Sequence, residues 1–307
     1  MQNNTKKIHM TMVVVLYNQL YFDSLTLKGI KEYLTLKPHS VTVNLLIYDN
    51  SFNKQKISEE FFPLTENITL LYIHDETNPG LVKPYNIAIK MALDNKSDWL
   101  ITFDQDTHID IKYFSELEKI VVTDLNENIV AIVPTVICNN TIVSPIKFEQ
   151  RTFTPYRGKC EKILSNYNCI NSASVYRVCF LQAIKGYNTN FKLNFVDAWI
   201  FDTIAYEKKR ILLMDCVIEH DYSSIVNPQF NYKKYKQGLL TDVLFYKTCR
   251  GTVFNIKHSL GNIFMAILSI FLFRNARQNF LRLTTSINHF FALPKPRYNN
   301  TAPWDYE

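Results

Sequence analysis

The feature that most constrains the fold is an alternation of strand and helix patterns over the first 110 residues. Four apolar runs are typical of buried strands: residues 10–18, 42–51, 68–76 and 98–106. Two segments with helical spacing of apolar residues lie between them, at 21–36 and 81–95. This alternation is typical of a mostly parallel sheet covered by helices, so we predict an α/β fold.

Polar residues follow each of the four predicted strands. They are Asn18, Asp49 with Asn50, Asn78 with Gly80, and Asp104 with Asp106. Each alone is typical of a turn or a helix cap. Their recurrence at four strand ends indicates a ligand site, because ligands of such sheets bind beyond the carboxyl ends of the strands.

Asp104 and Asp106 are two residues apart at the end of a predicted strand. In a strand, residues i and i+2 point to the same side, so the two carboxylates repel unless a cation lies between them. The pattern alone leaves open whether that group is a metal ion, a basic side chain or only water.

Composition indicates one large domain with an appendage. The chain has 307 residues, of which 47% are hydrophobic and 14% aromatic. Its six cysteines form no CxxC pair, and the N-terminal residues lead into a strand and not into a signal peptide. We therefore expect a cytoplasmic protein with free thiols.

Positive charge is concentrated in the C-terminal region. The net charge is +6, and residues 226–307 contain 11 Lys and Arg but only 3 Asp and Glu. Such a segment suits anionic lipid or a phosphorylated substrate, or is only a solvated surface. No nucleic-acid-binding motif accompanies it, so we predict no nucleic-acid partner.

The order of "VVLYN", "LLIYDNS", "NPGLVKPYN" and "ITFDQD" resembles the nucleotide-sugar domain of family 2 glycosyltransferases. The Asp-Gln-Asp form is particularly similar to the bacterial rhamnosyltransferase branch. The resemblance covers roughly residues 8–222 and implies a GT-A-type fold. It implies a catalytic domain over 1–225, with a nucleotide-sugar half (8–110) and an acceptor half (111–225), and a basic helical C-terminal region over 226–307.

The resemblance also implies roles for residues of the donor site. Asp49 would contact the base of the nucleotide, with Tyr17 and Asn18 in the same pocket, and Asp104 would approach the ribose. The Asn-x-Gly stretch of the family matches Asn78, Gly80 and Asn86. Lys83 would contact a phosphate, or is a solvated lysine at the start of a helix.

A divalent cation, Mn²⁺ or Mg²⁺, is implied by the same resemblance. Asp106 would bind it directly, and His220 matches a histidine that many family members place beside the metal. Such an ion neutralises the charge that develops on a diphosphate leaving group. The alternative, that the aspartates cap the following helix, fits Asp110 better.

On the acceptor side, residues 169–221 resemble the matching part of the family, and Asp197 occupies the place of the general base. A single base with in-line attack implies inversion at the anomeric carbon. Two alternatives stay open: Asp197 is only the N-cap of the helix that follows, or Asp202 faces the acceptor. Val196 and Trp199, beside the expected base, depart from the family pattern.

The C-terminal region contains an amphipathic helix pattern at 231–254 and an uncharged run at 258–273. Sixteen residues fall short of the roughly 20 that cross a bilayer. Peripheral contact with the inner membrane, burial against the catalytic domain and homodimerisation are all open. The joining segment, residues 148–164, is expected to form a long loop with Arg151, Arg157 and Lys159.

The first functional hypothesis is an inverting, metal-dependent glycosyltransferase that uses a nucleoside-diphosphate sugar. The resemblance favours L-rhamnose from dTDP-rhamnose, transferred to a surface glycan or a lipid-linked saccharide. UDP-hexoses are an alternative donor class. The second hypothesis is a catalytically silent paralogue that holds a glycan-assembly complex at the membrane.

Overall fold

The structure is a computed structural model of the chain. It describes residues 8–36, 41–63, 65–149, 152–156, 162–220, 232–271, 276–291 and 295–303. Contacts within the chain divide it into two compact units. The first comprises Met1–Tyr222 with Thr301–Glu307, and the second comprises Ser223–Asn300.

The first unit contains all the strands that the structure describes. They are β1 (Ile8–Leu16), β2 (Val41–Asp49), β3 (Ile68–His74), β4 (Trp99–Asp104), β5 (Thr107–His108), β6 (Ile129–Cys138), β7 (Thr141–Ser144), β8 (Ile146–Glu149), β9 (Thr152–Pro155), β10 (Ile163–Leu164), β11 (Tyr167–Asn168), β12 (Ser174–Arg177) and β13 (Arg210–His220). Its helices are α1 (Leu25–Leu36), α2 (Val82–Asp94), α3 (Ile111–Val121), α4 (Val178–Ala183) and α5 (Val196–Tyr206), with a 3₁₀ turn at Glu59–Phe61.

The main sheet has the order β10-β13-β6-β12-β4-β1-β2-β3, with β5 beside β13 and β7 beside β6. Strands β4, β1, β2 and β3 are parallel, whereas β12 is inserted antiparallel between β4 and β6. A separate small sheet has the order β11-β8-β9. The predicted α/β architecture with a mostly parallel central sheet is confirmed.

Both faces of β1 are buried, which explains why its sequence is apolar except for His9 and Thr11. Met12 and Val14 belong to one core cluster together with Leu27 of α1 and Phe114 of α3. Val13 lies on the other face and is also fully buried, and α2 packs against β1, β2 and β4. Helices on both faces leave only the strand ends for a ligand.

The joining segment 148–164 is not one long loop. It contains β9 and β10, and β9 pairs with β8 in the small sheet. The cations expected there, Arg151, Arg157 and Lys159, lie outside the described residues.

The second unit contains α6 (Tyr232–Cys249), α7 (Gly251–Phe271) and α8 (Ala276–Phe291). The amphipathic helix predicted over 231–254 is divided between α6 and α7 at Arg250, next to Gly251, and glycine is a weak helix former. Among the described residues, no helix is both long enough and apolar enough to cross a membrane.

Candidate active site

Strand register brings the predicted polar residues to one edge of the sheet. Leu16 pairs with Asp49 across β1 and β2, and Val15 pairs with Asp104 across β1 and β4. Asp49 pairs in turn with His74 at the end of β3. The carboxyl ends of four parallel strands are therefore level, as the sequence predicted.

Gln105, between the two aspartates, joins the Asp104–Asp106 turn to the end of β1 by hydrogen bonds. The Gln105 side chain accepts a hydrogen bond from the Tyr17 N–H at 2.7 Å and donates one to the Tyr17 carbonyl at 3.2 Å. The start of α1 holds the same turn, because Thr26 donates to the Asp104 carbonyl at 2.5 Å and Ser24 to the Gln105 carbonyl at 2.7 Å. Sequence reasoning assigned no role to Gln105, Ser24 or Thr26.

A buried hydroxyl pair supports the turn from the other side. The Asp104 N–H donates to the Ser172 hydroxyl at 2.8 Å, and that hydroxyl also contacts the Thr107 hydroxyl. The Thr107 oxygen lies 3.2 Å from His220 Nδ1. His220 reaches this place because the end of β13 pairs with β5, with His220 opposite Thr107.

Asp104, Asp106 and His220 form a cluster that could hold a metal ion. One ligand atom from each residue lies within 4.8 Å of the others. His220 Nε2 is 3.8 Å from Asp104 Oδ2, and His220 Nδ1 is 3.7 Å from Asp106 Oδ1. An imidazole binds an ion through only one of its nitrogens, so only one of these two distances applies to a shared ion. Because one ligand atom from each residue lies within 4.8 Å of the others, small side-chain rotations would bring the three around one octahedral ion. Two carboxylates with an imidazole suit Mn²⁺ or Mg²⁺.

The electrostatics of this cluster also favour a cation. The pKa of Asp104 is raised to about 6, because burial, together with the smaller effect of the Asp106 charge, outweighs the lowering effect of His220. The ionised form of Asp104 is therefore destabilised in the protein alone. A positive ion between the carboxylates would remove this penalty.

Asp197 lies in the first turn of α5, which carries it toward the same cluster. The N-cap of α5 is Phe195, with φ of 63°, so the interpretation of Asp197 as an N-cap is wrong. Burial and then the charge of Asp104 raise the pKa of Asp197 to about 7. Asp202, the alternative, is 7% exposed and belongs to the buried polar residues of this unit.

Asp110 is the N-cap of α3, as expected. Its carboxylate accepts hydrogen bonds from the N–H groups of Lys112 at 3.0 Å and Tyr113 at 3.1 Å. Asp104 and Asp106 make no such contact with α3, so helix capping does not explain them.

Asn171 lies beside Asp197 in a buried cluster of aromatic residues. Its side-chain oxygen accepts hydrogen bonds from Tyr176 at 2.6 Å and Tyr187 at 3.4 Å. Hydrogen bonding by Asn171 lowers the pKa of Asp197, against the larger effect of burial. The sequence analysis included Asn171 in the acceptor-side segment 169–221 but gave it no role.

Asp49 is fully buried and held in its ionised form. Its carboxylate accepts hydrogen bonds from the Ser51 N–H at 2.9 Å, from Gln55 at 2.8 Å and from Tyr72 at 2.8 Å. Burial opposes ionisation, but these hydrogen bonds together lower the pKa of Asp49. The Asn18 N–H donates to the Ser51 hydroxyl at 2.8 Å, which ties the end of β1 to the same pocket.

The Asn78–Asn86 stretch is held against the loop that precedes α5. Gly80 has φ of +88°, and a Cβ there would lie 2.3 Å from the Lys192 carbonyl oxygen. The Asn86 amide donates to the Tyr187 carbonyl at 3.0 Å and accepts from the Tyr187 N–H at 2.8 Å. Through these two hydrogen bonds, Asn86 stabilises the packing of α2 against the segment that contains Tyr187.

Lys83 and Asn78 lie at the start of the same stretch. Lys83 Nζ forms an ion pair with Asp75 Oδ2 at 2.7 Å, and its side chain is half exposed. Asn78 has φ of 46° and shapes the turn. The Tyr17 side chain is 51% exposed at the strand edge.

Neither a protein-family model nor a curated protein matches the sequence. Among solved structures, GalNAc-T7 with UDP, GalNAc and Mn²⁺ is similar, with a TM-score of 0.55 and 15% identity. The fold is of the GT-A glycosyltransferase type. The match covers 70% of this chain and 43% of GalNAc-T7, so the chain spans less than half of that protein.

Two further solved structures match over more of the chain but with lower scores. They are S. aureus TarS 1-349 (TM-score 0.48, 14% identity, 92% of this chain and 72% of that chain) and the Pyrobaculum calidifontis mannosyltransferase PcManGT with GDP-Man and Mn²⁺ (TM-score 0.47, 12% identity, 93% and 74%). At these TM-scores they add nothing to the fold assignment.

Proposed function

We propose that the protein is a metal-dependent glycosyltransferase that uses a nucleoside-diphosphate sugar. The observation that carries this proposal is the cluster of Asp104, Asp106 and His220 at the strand ends of a GT-A-type fold, with the high-pKa carboxylate of Asp197 nearby. A carboxylate with a raised pKa beside a cation site is typical of a general base, and this favours an enzyme over a binding protein.

The donor pocket in this proposal lies over the ends of β1, β2 and β4. Asp49, Tyr17 and Asn18 bind the nucleoside, and Asp104 approaches the ribose. Asn78, Gly80 and Asn86 shape the pocket wall, and Lys83 exchanges its ion pair with Asp75 for contact with a phosphate. Asp106 and His220 hold Mn²⁺ or Mg²⁺, which offsets the negative charge of the leaving diphosphate.

Asp197 acts as the general base. Its carboxylate takes the proton of the acceptor hydroxyl as that oxygen forms a bond to the anomeric carbon. The bond between this carbon and the diphosphate oxygen breaks, and the electron pair leaves with the nucleoside diphosphate. Attack opposite the leaving group inverts the anomeric configuration. We favour Asp197 over Asp202 as the base because the charge of Asp104 raises the pKa of Asp197, which supports a position of Asp197 close to the cation cluster.

L-rhamnose from dTDP-rhamnose is the donor that the Asp-Gln-Asp form favours, and UDP-hexoses are the alternative. We propose a hydroxyl of a bacterial surface glycan or of a lipid-linked saccharide as the acceptor. The scattered cysteines of the sequence, which form no CxxC pair, support a cytoplasmic location.

Donor turnover tests the proposal. The protein is incubated with dTDP-L-rhamnose, UDP-glucose or GDP-mannose and Mn²⁺, with water or an alkyl glycoside as the acceptor, and nucleoside diphosphate release is measured. We expect release from one donor, and none with EDTA. If no donor releases nucleoside diphosphate, the proposed transferase activity is contradicted. That result would favour a silent paralogue that only binds nucleotide.

A further inference from the structure

In the middle of helix α7, three uncharged polar residues are buried, whereas several large apolar residues are exposed. Asn255, Ser259 and Asn262 are 7%, 0% and 5% exposed, whereas Leu260 and Phe264 are 54% and 64% exposed. A helix of a soluble bundle normally has the opposite arrangement. The difference requires a structural explanation.

Helical register shows that the two sets of residues lie on opposite sides of α7. The buried residues Asn255, Ser259, Asn262 and Ala266 recur at i, i+4, i+7 and i+11. The exposed set, which we call the α7 apolar face, follows its own stripe: Ile256, Leu260, Phe264, Ile267 and Leu268. Helix α8 also exposes Phe280 and Ile287.

A polar network between the three helices fixes this orientation of α7. His258 lies 2.6 Å from the Asp242 carboxylate of α6 and stacks on Tyr246, with ring centroids 3.6 Å apart. The Asn262 side-chain oxygen accepts hydrogen bonds from Arg282 of α8 at 3.1 and 2.6 Å. Rotating α7 to bury its apolar face would break these contacts. The polar network therefore stabilises the orientation in which the apolar face is exposed.

A continuous exposed stripe of large apolar side chains on a protein surface is typical of a contact surface. The net positive charge of the second unit indicates which kind of partner the α7 apolar face contacts. Residues 223–300 contain eleven lysines and arginines but a single acidic residue, Asp242. A second copy would bring two strongly cationic units together, and like charges repel. An anionic surface is complementary to the unit.

We propose that the α7 apolar face lies on an anionic lipid membrane. Its apolar side chains enter the boundary between headgroups and acyl chains, and the exposed lysines of the unit, such as Lys233, Lys236 and Lys257, contact the lipid headgroups. The helix lies along the membrane plane, in keeping with the finding that no described helix can cross one. This proposal is independent of the proposed activity.

Vesicle co-sedimentation of the full chain tests it, with POPC vesicles compared with POPC and POPG at 7:3. We expect binding to the POPG vesicles, weaker at high salt, and little binding to POPC. The double substitution Leu260→Ser with Phe264→Ser should weaken binding at least tenfold. Leu36→Ser is the matched control, because Leu36 is 61% exposed on α1 of the other unit and should leave binding unchanged.

A second readout uses Phe264→Trp, which keeps the face apolar. Its added fluorescence should shift to shorter wavelength with POPG vesicles and remain unshifted with POPC. Sedimentation velocity without lipid tests the competing hypothesis, that the α7 apolar face binds a second copy of the chain. A dimer that the double substitution dissociates would assign the face to a second copy, and unchanged vesicle binding of the double variant would also overturn the proposal.

Discussion

Three aspartates of the candidate site have different acid–base properties because their surroundings differ. Hydrogen bonds from Ser51, Gln55 and Tyr72 keep Asp49 ionised despite its burial. Burial raises the pKa of Asp104 to about 6 and that of Asp197 to about 7. In the proposed function, one residue type therefore serves at the nucleoside (Asp49), at the ribose (Asp104) and as the base (Asp197).

Substitution of Asp197 by asparagine tests the base assignment at the residue scale. Asparagine retains the size of the side chain but cannot accept the proton, so kcat should fall about 10² to 10⁴-fold while nucleotide affinity stays within a factor of about three. Steady-state kinetics and calorimetry measure the two quantities. Asp110→Asn is the control, because asparagine is also a good N-cap. Retention of turnover by Asp197→Asn would exclude Asp197 as the base.

The pH dependence of turnover is a second prediction at this scale. The base must be unprotonated to act, and the pKa of Asp197 is raised to about 7. We therefore expect kcat/KM to fall as pH drops below about 7, by about tenfold per pH unit, and to level off above it. A profile that stays flat down to pH 5 would contradict a base with this pKa.

At the scale of the elements, the tight approach of the Gly80 turn to the loop before α5 shapes the candidate donor pocket. The turn needs glycine for two reasons: φ is +88°, and a Cβ would meet the Lys192 carbonyl oxygen at 2.3 Å. The Leu81 N–H donates to the same carbonyl at 2.8 Å. The two segments are thus joined backbone to backbone.

Gly80→Ala should destabilise the protein by about 2 kcal/mol or more, through backbone strain and the steric clash. Gly238 in α6 is the matched control, because a Cβ there meets nothing within 4 Å. Gly238→Ala should stabilise its helix by about 0.5 to 1 kcal/mol. Urea unfolding measures both changes. Equal effects of the two substitutions would show that the Gly80 contact is not needed.

The sequence predicted the elements with strong periodicity and missed those that depend on distant partners. Strands β1 to β4 and helices α1 and α2 were predicted because their apolar residues follow clear local patterns. The antiparallel insertion of β12 and the pairing of β5 with β13 were not, because strand partners far apart in the chain leave no local signal. The division of α6 from α7 was missed because the boundary contains no proline and Gly251 alone is a weak signal for the end of a helix.

At the scale of the whole molecule, the candidate site is assembled from residues far apart in the chain. His220 lies near Asp104 because β13 runs parallel to β6 and its end pairs with β5. The sequence named the three cluster residues through resemblance to a family. Their supports, Gln105, Thr26 and Ser172, could not be named because each acts through a backbone contact that only the folded chain creates.

The central claim is that this cluster binds a divalent cation together with a nucleoside diphosphate. Calorimetric titration with dTDP, UDP and GDP, each with Mn²⁺ and again with EDTA, tests it most directly, with Asp106→Asn as the site variant. We predict that one nucleotide binds with Mn²⁺, and that EDTA or the Asp106→Asn substitution weakens binding at least tenfold. Binding that neither EDTA nor the substitution changes, or no binding of any nucleotide, would contradict the claim.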